Sequence, residues 1–83
     1  MLKIYEFSYC PYCAKVRDKL KELNLKEGED FILIDATLPE KKQELIKLGS
    51  KSQVPFLVDE NVSMYESDDI ISYLESNFYR AKK

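Results

Sequence analysis

The chain has 83 residues, enough for one domain over 1–83 with a small core. Its 15 acidic and 13 basic residues leave a net charge of −2, without the basic excess that nucleic-acid binding would need. With 45% hydrophobic residues it has the composition of a globular protein. No apolar run reaches membrane-span length, and the N-terminus enters a strand with no signal-like apolar segment. A cytoplasmic monomer with no nucleic-acid or membrane partner is expected.

Leu2 to Phe7 reads as a first strand. A helix follows from Pro11 to about Asn24. Cys13, Val16, Leu20 and Leu23 fall on one face of it, which should lie on a sheet. Lys26 to Asp30 is a polar turn. Phe31-Ile32-Leu33-Ile34 is a continuous apolar run, as expected of a strand buried on both faces. Strand, helix and strand make a right-handed βαβ unit with parallel strands. The second helix starts within Asp35–Pro39 and runs to about Leu48, with Gly49 placed to end it. Phe56-Leu57-Val58 and Val62-Ser63-Met64 flank Asp59-Glu60-Asn61 as a hairpin. Ser67 is placed to cap the last helix, and Asp68 and Asp69 complement its dipole. Ile70, Ile71, Leu74 and Phe78 form the core stripe of that helix. The tail Arg80–Lys83 is expected to fray. The order is βαβαββα; strand order does not follow from it.

Cys10-Pro11-Tyr12-Cys13 stands where the first strand meets the first helix. A C-x-x-C there marks a thioredoxin-like dithiol centre. Cys10 falls at the helix N-cap, near unpaired N–H groups and the positive end of the dipole, which favour the nucleophilic thiolate. Pro11 suits the first helical position, where its missing N–H costs nothing. Cys13 lies one turn in on the apolar face, semi-buried and able to resolve a mixed disulfide on Cys10. Tyr12 points away from that face, toward whatever docks on the thiol. An inert pair of core cysteines fits this spacing poorly. A structural zinc site would want four ligands, and the chain has no His and no other Cys, so one chain cannot complete it and a metal or cluster site shared by two chains stays open. A structural disulfide closing so short a loop would add little stability.

Three motifs in order resemble the glutaredoxins over nearly the whole chain: Cys10-Pro11-Tyr12-Cys13, Val54-Pro55 before Phe56-Leu57-Val58, and Ser67-Asp68-Asp69 before the last helix. Gln53 to Leu57, Tyr65-Glu66-Ser67 and Ile70 to Leu74 also resemble the N-terminal domain of glutathione transferases. The resemblance implies an α/β, thioredoxin-like fold: a four-stranded mixed sheet flanked by three helices. It implies a cis bond before Pro55, which would leave the Val54 backbone able to pair with an extended ligand. In the family that ligand is the cysteinyl part of glutathione. Tyr12, Gln53, Val54, Pro55, Glu66, Ser67 and Asp68 are the candidate glutathione contacts. The N–H groups at the start of the last helix would take the γ-glutamyl carboxylate. Asp68, with Glu66, would take its ammonium.

The implied activity is glutathione-dependent thiol–disulfide oxidoreduction through Cys10 and Cys13. Partners would be glutathione, as co-substrate, and disulfide-containing or glutathionylated proteins. No metal or prosthetic group is required. One departure is Phe7, where many glutaredoxins carry Lys or Arg. In the family that cation holds the glycine carboxylate of glutathione; Lys51, Lys41 or Lys42 could replace it, Gln53 could offer its amide to the same glycine carboxylate, and Tyr9 could lie at the docking groove. The departure keeps open a redoxin reduced by thioredoxin reductase. A non-enzymatic alternative is a glutathione-ligated iron–sulfur cluster carrier, against which Pro11 and Tyr12 argue.

Overall fold

The computed structural model describes residues 2–60 and 62–78. Seven elements follow in the order β1 Leu2–Glu6, α1 Pro11–Glu22, β2 Phe31–Asp35, α2 Pro39–Gly49, β3 Phe56–Asp59, β4 Val62–Met64 and α3 Ser67–Phe78. The strands form one mixed sheet in the order β2-β1-β3-β4. β1 runs parallel to β2, with Ile4 opposite Leu33, and antiparallel to β3, with Ile4 opposite Leu57. β3 and β4 form the expected antiparallel hairpin.

The alternation of side chains along a strand sorts the core into two layers. Leu2 and Ile4 of β1 and Leu57 of β3 meet Val16, Leu20 and Leu23 from the α1 segment and Ile70 and Leu74 of α3. Tyr5 and Phe56, one residue along in each strand, meet Ala36 and Leu45 on the opposite face, where α2 lies. This is a thioredoxin-like fold, with α1 and α3 on one face and α2 on the other.

Several local expectations change or sharpen. β2 is not buried on both faces. It is an edge strand, where Ile32 is exposed and Leu33 and Ile34 are half-buried. Two-sided burial belongs to β1 and β3, which have neighbours on both sides. α1 ends at Glu22 because Asn24 turns left-handed (φ 60°). The Asn24 and Leu25 N–H groups then donate to the Lys21 and Leu20 carbonyls, a Schellman closure. α2 starts at Pro39 because the Asp35 carboxylate accepts the Thr37 N–H at 2.9 Å in a turn, and Leu38, preceding proline, stays extended.

Gly49 does not end α2 by turning. It is the last helical residue, and Ser50 takes the left-handed conformation (φ 72°). Gly49 is there for space. A Cβ on it would sit 2.0 Å from the Tyr65 hydroxyl and 2.9 Å from the Phe56 ring. β1 stops at Glu6, one residue short of Phe7. Tail residues Arg80–Lys83 and the Asn61 position of the hairpin turn lie outside the described residues. Among the described residues no helix is long and apolar enough to cross a membrane.

Candidate active site

Register brings the site together. Tyr5 of β1 pairs with Phe56 of β3, so Val54 and Pro55 run alongside the chain that leaves β1 toward Cys10. The Val54–Pro55 peptide bond is cis. α3 begins at Ser67, after the hairpin carries the chain back, and packs beside α1 on the same face.

Cys10 is the N-cap of α1, with extended backbone and Pro11 as the first helical residue. Its N–H donates to the Phe7 carbonyl at 3.1 Å, and its carbonyl accepts the Ala14 N–H at 3.0 Å. The sulfur of this half-exposed residue carries no disulfide. Cys13, expected to be semi-buried, is fully buried at 1% exposure. Burial pushes its thiol up to about 12, and hydrogen bonding to the Cys10 sulfur adds to the rise, while a hydrogen bond from the Phe7 backbone opposes it. At neutral pH Cys13 is therefore a thiol directed at the sulfur of Cys10.

The loop before Cys10 is held from α1. Arg17 pairs with the Glu6 carboxylate and donates to the Ser8 carbonyl at 3.2 Å. Sequence reasoning missed Arg17; a charged residue one position after Val16 on a helix gives no sign of its partner across the turn. Phe7 is half-buried against the α2-side cluster and stacks on Tyr9, ring centroids 5.6 Å apart. Tyr9 itself is 75% exposed.

A cleft of about 230 Å³ lies beside the dithiol, lined by Tyr12, Lys15, Gln53, Val54, Pro55, Glu66, Ser67 and Asp68. All seven residues expected from sequence to contact glutathione line it. Tyr12 is 60% exposed on its rim. The Gln53 amide donates to Glu66 Oε2 at 3.4 Å across it. Ser67 is not the cap of α3 but its first helical residue, and it is buried. The Ile70 N–H returns to the Glu66 carbonyl at 2.9 Å, which puts Glu66 at the cap.

Lys15 is the lining residue that sequence reasoning overlooked. Its signal was its place three residues after Tyr12, which puts both on one side of α1. Its Nζ reaches Asp68 Oδ1 at 3.4 Å. The three lysines considered instead do not line the cleft. Lys41 pairs with Glu44 at 3.1 Å, and Lys51 lies over the Tyr65 ring, 5.4 Å from its centroid. Among the described residues no three His, Cys, Asp or Glu side chains are grouped to hold a metal ion.

Fold and dithiol thus define a thioredoxin-like domain with a cysteine pair at a helix start and a polar cleft beside it. The family model for the glutathione S-transferase N-terminal domain matches residues 4–81. Glutaredoxin 1 of Rickettsia prowazekii (strain Madrid E) is 32% identical over 69 residues, 83% of this chain and 72% of that protein. Among solved structures, a glutathione S-transferase from the Antarctic clam Laternula elliptica superposes with a TM-score of 0.76 at 30% identity, over 96% of this chain and 36% of that one. An epsilon-class glutathione S-transferase from the housefly, Musca domestica, gives 0.78 at 25% identity, again over 96% and 36%. The chain spans about a third of the length of those transferases. The chain belongs to the glutathione S-transferase N-terminal domain family and, by its relative and its dithiol motif, to the glutaredoxins.

Proposed function

We propose that residues 1–83 form one glutaredoxin domain that reduces protein disulfides and glutathione mixed disulfides. The observation that carries this reading is the half-exposed Cys10 at a helix N-cap with a buried, protonated Cys13 directed at it. A domain that only bound glutathione would have no use for the second sulfur.

In deglutathionylation, the Cys10 thiolate attacks the glutathionyl sulfur of a mixed disulfide. The protein thiolate leaves and takes up a proton. A second glutathione thiolate then attacks the glutathionyl sulfur on Cys10, giving glutathione disulfide and restoring Cys10. With a protein disulfide, Cys10 forms a mixed disulfide and releases one protein thiolate. Cys13 then loses its proton and attacks the Cys10 sulfur, releasing the second. Two glutathiones supply the two electrons that reduce the Cys10–Cys13 bond.

The cleft suits glutathione as co-substrate. Tyr12, Val54 and Pro55 offer an aromatic rim and an extended edge for the cysteinyl part. The N–H groups of Ser67 and Asp68 at the start of α3 suit a carboxylate, and the Glu66 and Asp68 side chains an ammonium. Gln53, whose amide donates to Glu66 Oε2 in the same cleft, offers a donor for the glycine carboxylate.

The test uses Cys10→Ser and Cys13→Ser in two assays. Cys10→Ser is expected to lose all thiol transfer. Cys13→Ser is expected to keep deglutathionylation and to lose reduction of protein disulfides. Equal loss in both variants during deglutathionylation would refute the roles assigned. A second reading keeps the dithiol and takes electrons from thioredoxin reductase. Phe7 favours it, because the position just after β1 carries a ring packed against the α2-side cluster instead of a cation. Running the disulfide assay with each reductase separately decides between them.

A further inference from the structure

We propose that Lys15 is a specificity-determining residue that reads the α-carboxylate of a γ-glutamyl head, in partnership with Asp68. This rests on the glutathione reading of the cleft. Lys15 is the one cation among the described lining residues, facing two carboxylates, Glu66 and Asp68. Glutathione carries two carboxylates and one ammonium. Without Lys15, every charged side chain of the cleft would be negative, facing a ligand of net negative charge.

The geometry gives Lys15 a more specific task. Its 3.4 Å contact with Asp68 joins two exposed side chains, at 54% and 86%, so the pair is weak and readily exchanged. A ligand ammonium that docks on Asp68 arrives beside the Lys15 ammonium. Two cations on one carboxylate repel unless a second anion comes with the ligand. An α-amino acid brings that anion, because one carbon joins its ammonium to its carboxylate. The carboxylate lands within reach of Lys15, and charges then alternate around the ring: Lys15, carboxylate, ligand ammonium, Asp68. A head with only an ammonium leaves the two cations opposed. A head with only a carboxylate draws Lys15 away and leaves Asp68 and Glu66 with no cation to pair. The pair therefore selects a zwitterion.

The test uses three peptides, each in disulfide linkage to a tripeptide: glutathione, 4-aminobutyryl-cysteinylglycine, which lacks the α-carboxylate, or glutaryl-cysteinylglycine, which lacks the ammonium. Peptide release is followed for the wild-type protein, Lys15→Met and Lys15→Arg. For the wild type, loss of the carboxylate is expected to lower kcat/KM about fivefold, the size of an exposed charge pair. Lys15→Met is expected to lower kcat/KM about fivefold for the glutathione conjugate and to leave it level or raise it for the 4-aminobutyryl conjugate, where the opposed cation is gone. Lys15→Arg is expected to restore the preference. An equal loss on all three conjugates would overturn the proposal and leave Lys15 as a helix-to-helix tie. If the wild type releases the three conjugates and a 2-hydroxyethyl disulfide at the same rate, the glutathione reading itself falls, and this proposal with it.

Discussion

Cys10 and Cys13 are chemically the same residue, separated in role by one helical turn. Cys10 keeps its sulfur accessible at the N-cap, while Cys13 sits at 1% exposure beneath it. Burial raises the Cys13 thiol to about 12, so its thiolate fraction is small at neutral pH and grows as pH rises. Both burial and protonation slow its reaction with an alkylating agent. Iodoacetamide at pH 7 is expected to label Cys13 at least about tenfold more slowly than Cys10, with the gap closing in urea. Peptide mapping by mass spectrometry measures both rates in one sample; equal rates in the folded protein would contradict the placement of Cys13.

At the scale of elements, the cleft depends on how α2 meets the hairpin. The Tyr65 hydroxyl accepts the Lys51 N–H at 3.1 Å and donates to the Lys51 carbonyl at 3.0 Å. Its ring packs on Phe56, centroids 4.5 Å apart. This holds the loop from α2 to the cis-proline rim against the segment that leads into Glu66 and Ser67. The hydroxyl can sit there only because Gly49 has no side chain. Gly49→Ala would force the Tyr65 ring away from the Lys51 backbone, and the Phe56 ring blocks the other direction. A loss of about 1–3 kcal/mol is expected, typical of inserting an atom into filled space. A second effect should follow, because displacing Tyr65 disturbs the rim at Gln53 and Val54. Urea unfolding gives the first effect and the KM for a glutathionylated peptide the second. Unchanged stability in Gly49→Ala would mean that the contact is slack.

Across the whole molecule, pH links three buried or half-buried groups to stability. Cys13 is raised from 9.0 to about 12, mainly by burial. Tyr5 is raised from 10.0 to about 12, by burial and by donating to Glu44 Oε1 at 2.9 Å, which ties β1 to α2. Tyr73 is raised from 10.0 to about 12, first by its 2.6 Å hydrogen bond to Asp59 Oδ2, which ties α3 to β3. Each group holds its proton more tightly folded than unfolded. Their contribution is complete below the unfolded values and is lost as pH climbs from about 9 toward 12. The acid side has the opposite sign. Asp35, through Thr37, and Glu44, through Lys41 and then Tyr5, are lowered, so their contribution is present above the ordinary carboxylate range and lost as pH falls. Both carboxylates are solvent-accessible and the acid limb should be shallow. Urea midpoints between pH 7 and 11 are expected to fall on the alkaline side, and Tyr73→Phe to flatten that fall. A midpoint unchanged to pH 11 would contradict the linkage.

Element order, the dithiol at a helix start and the hairpin were legible in the sequence because each is written in a local pattern: alternation, a 3.6-residue stripe, a proline at N1. The residues around the cleft were legible through three family motifs, and Ser67 was assigned to it despite being misplaced as a cap. What the chain order could not supply was lateral position. Phe31 to Ile34 has the composition of an inner strand, yet β2 is at the edge, because β3 pairs with the other side of β1. The purpose of Gly49 was equally hidden; a glycine at a helix end suggests a turn, and only the approach of Tyr65 shows that it makes room. Lys15 and Arg17 looked like solvated helix charges, and their partners Asp68 and Glu6 lie 53 and 11 residues away. Local sequence sets conformation through neighbours along the chain. Partnerships between distant side chains arise only when the sheet order and the stacking of α1 on α3 bring them within reach, and that was decided by tertiary structure.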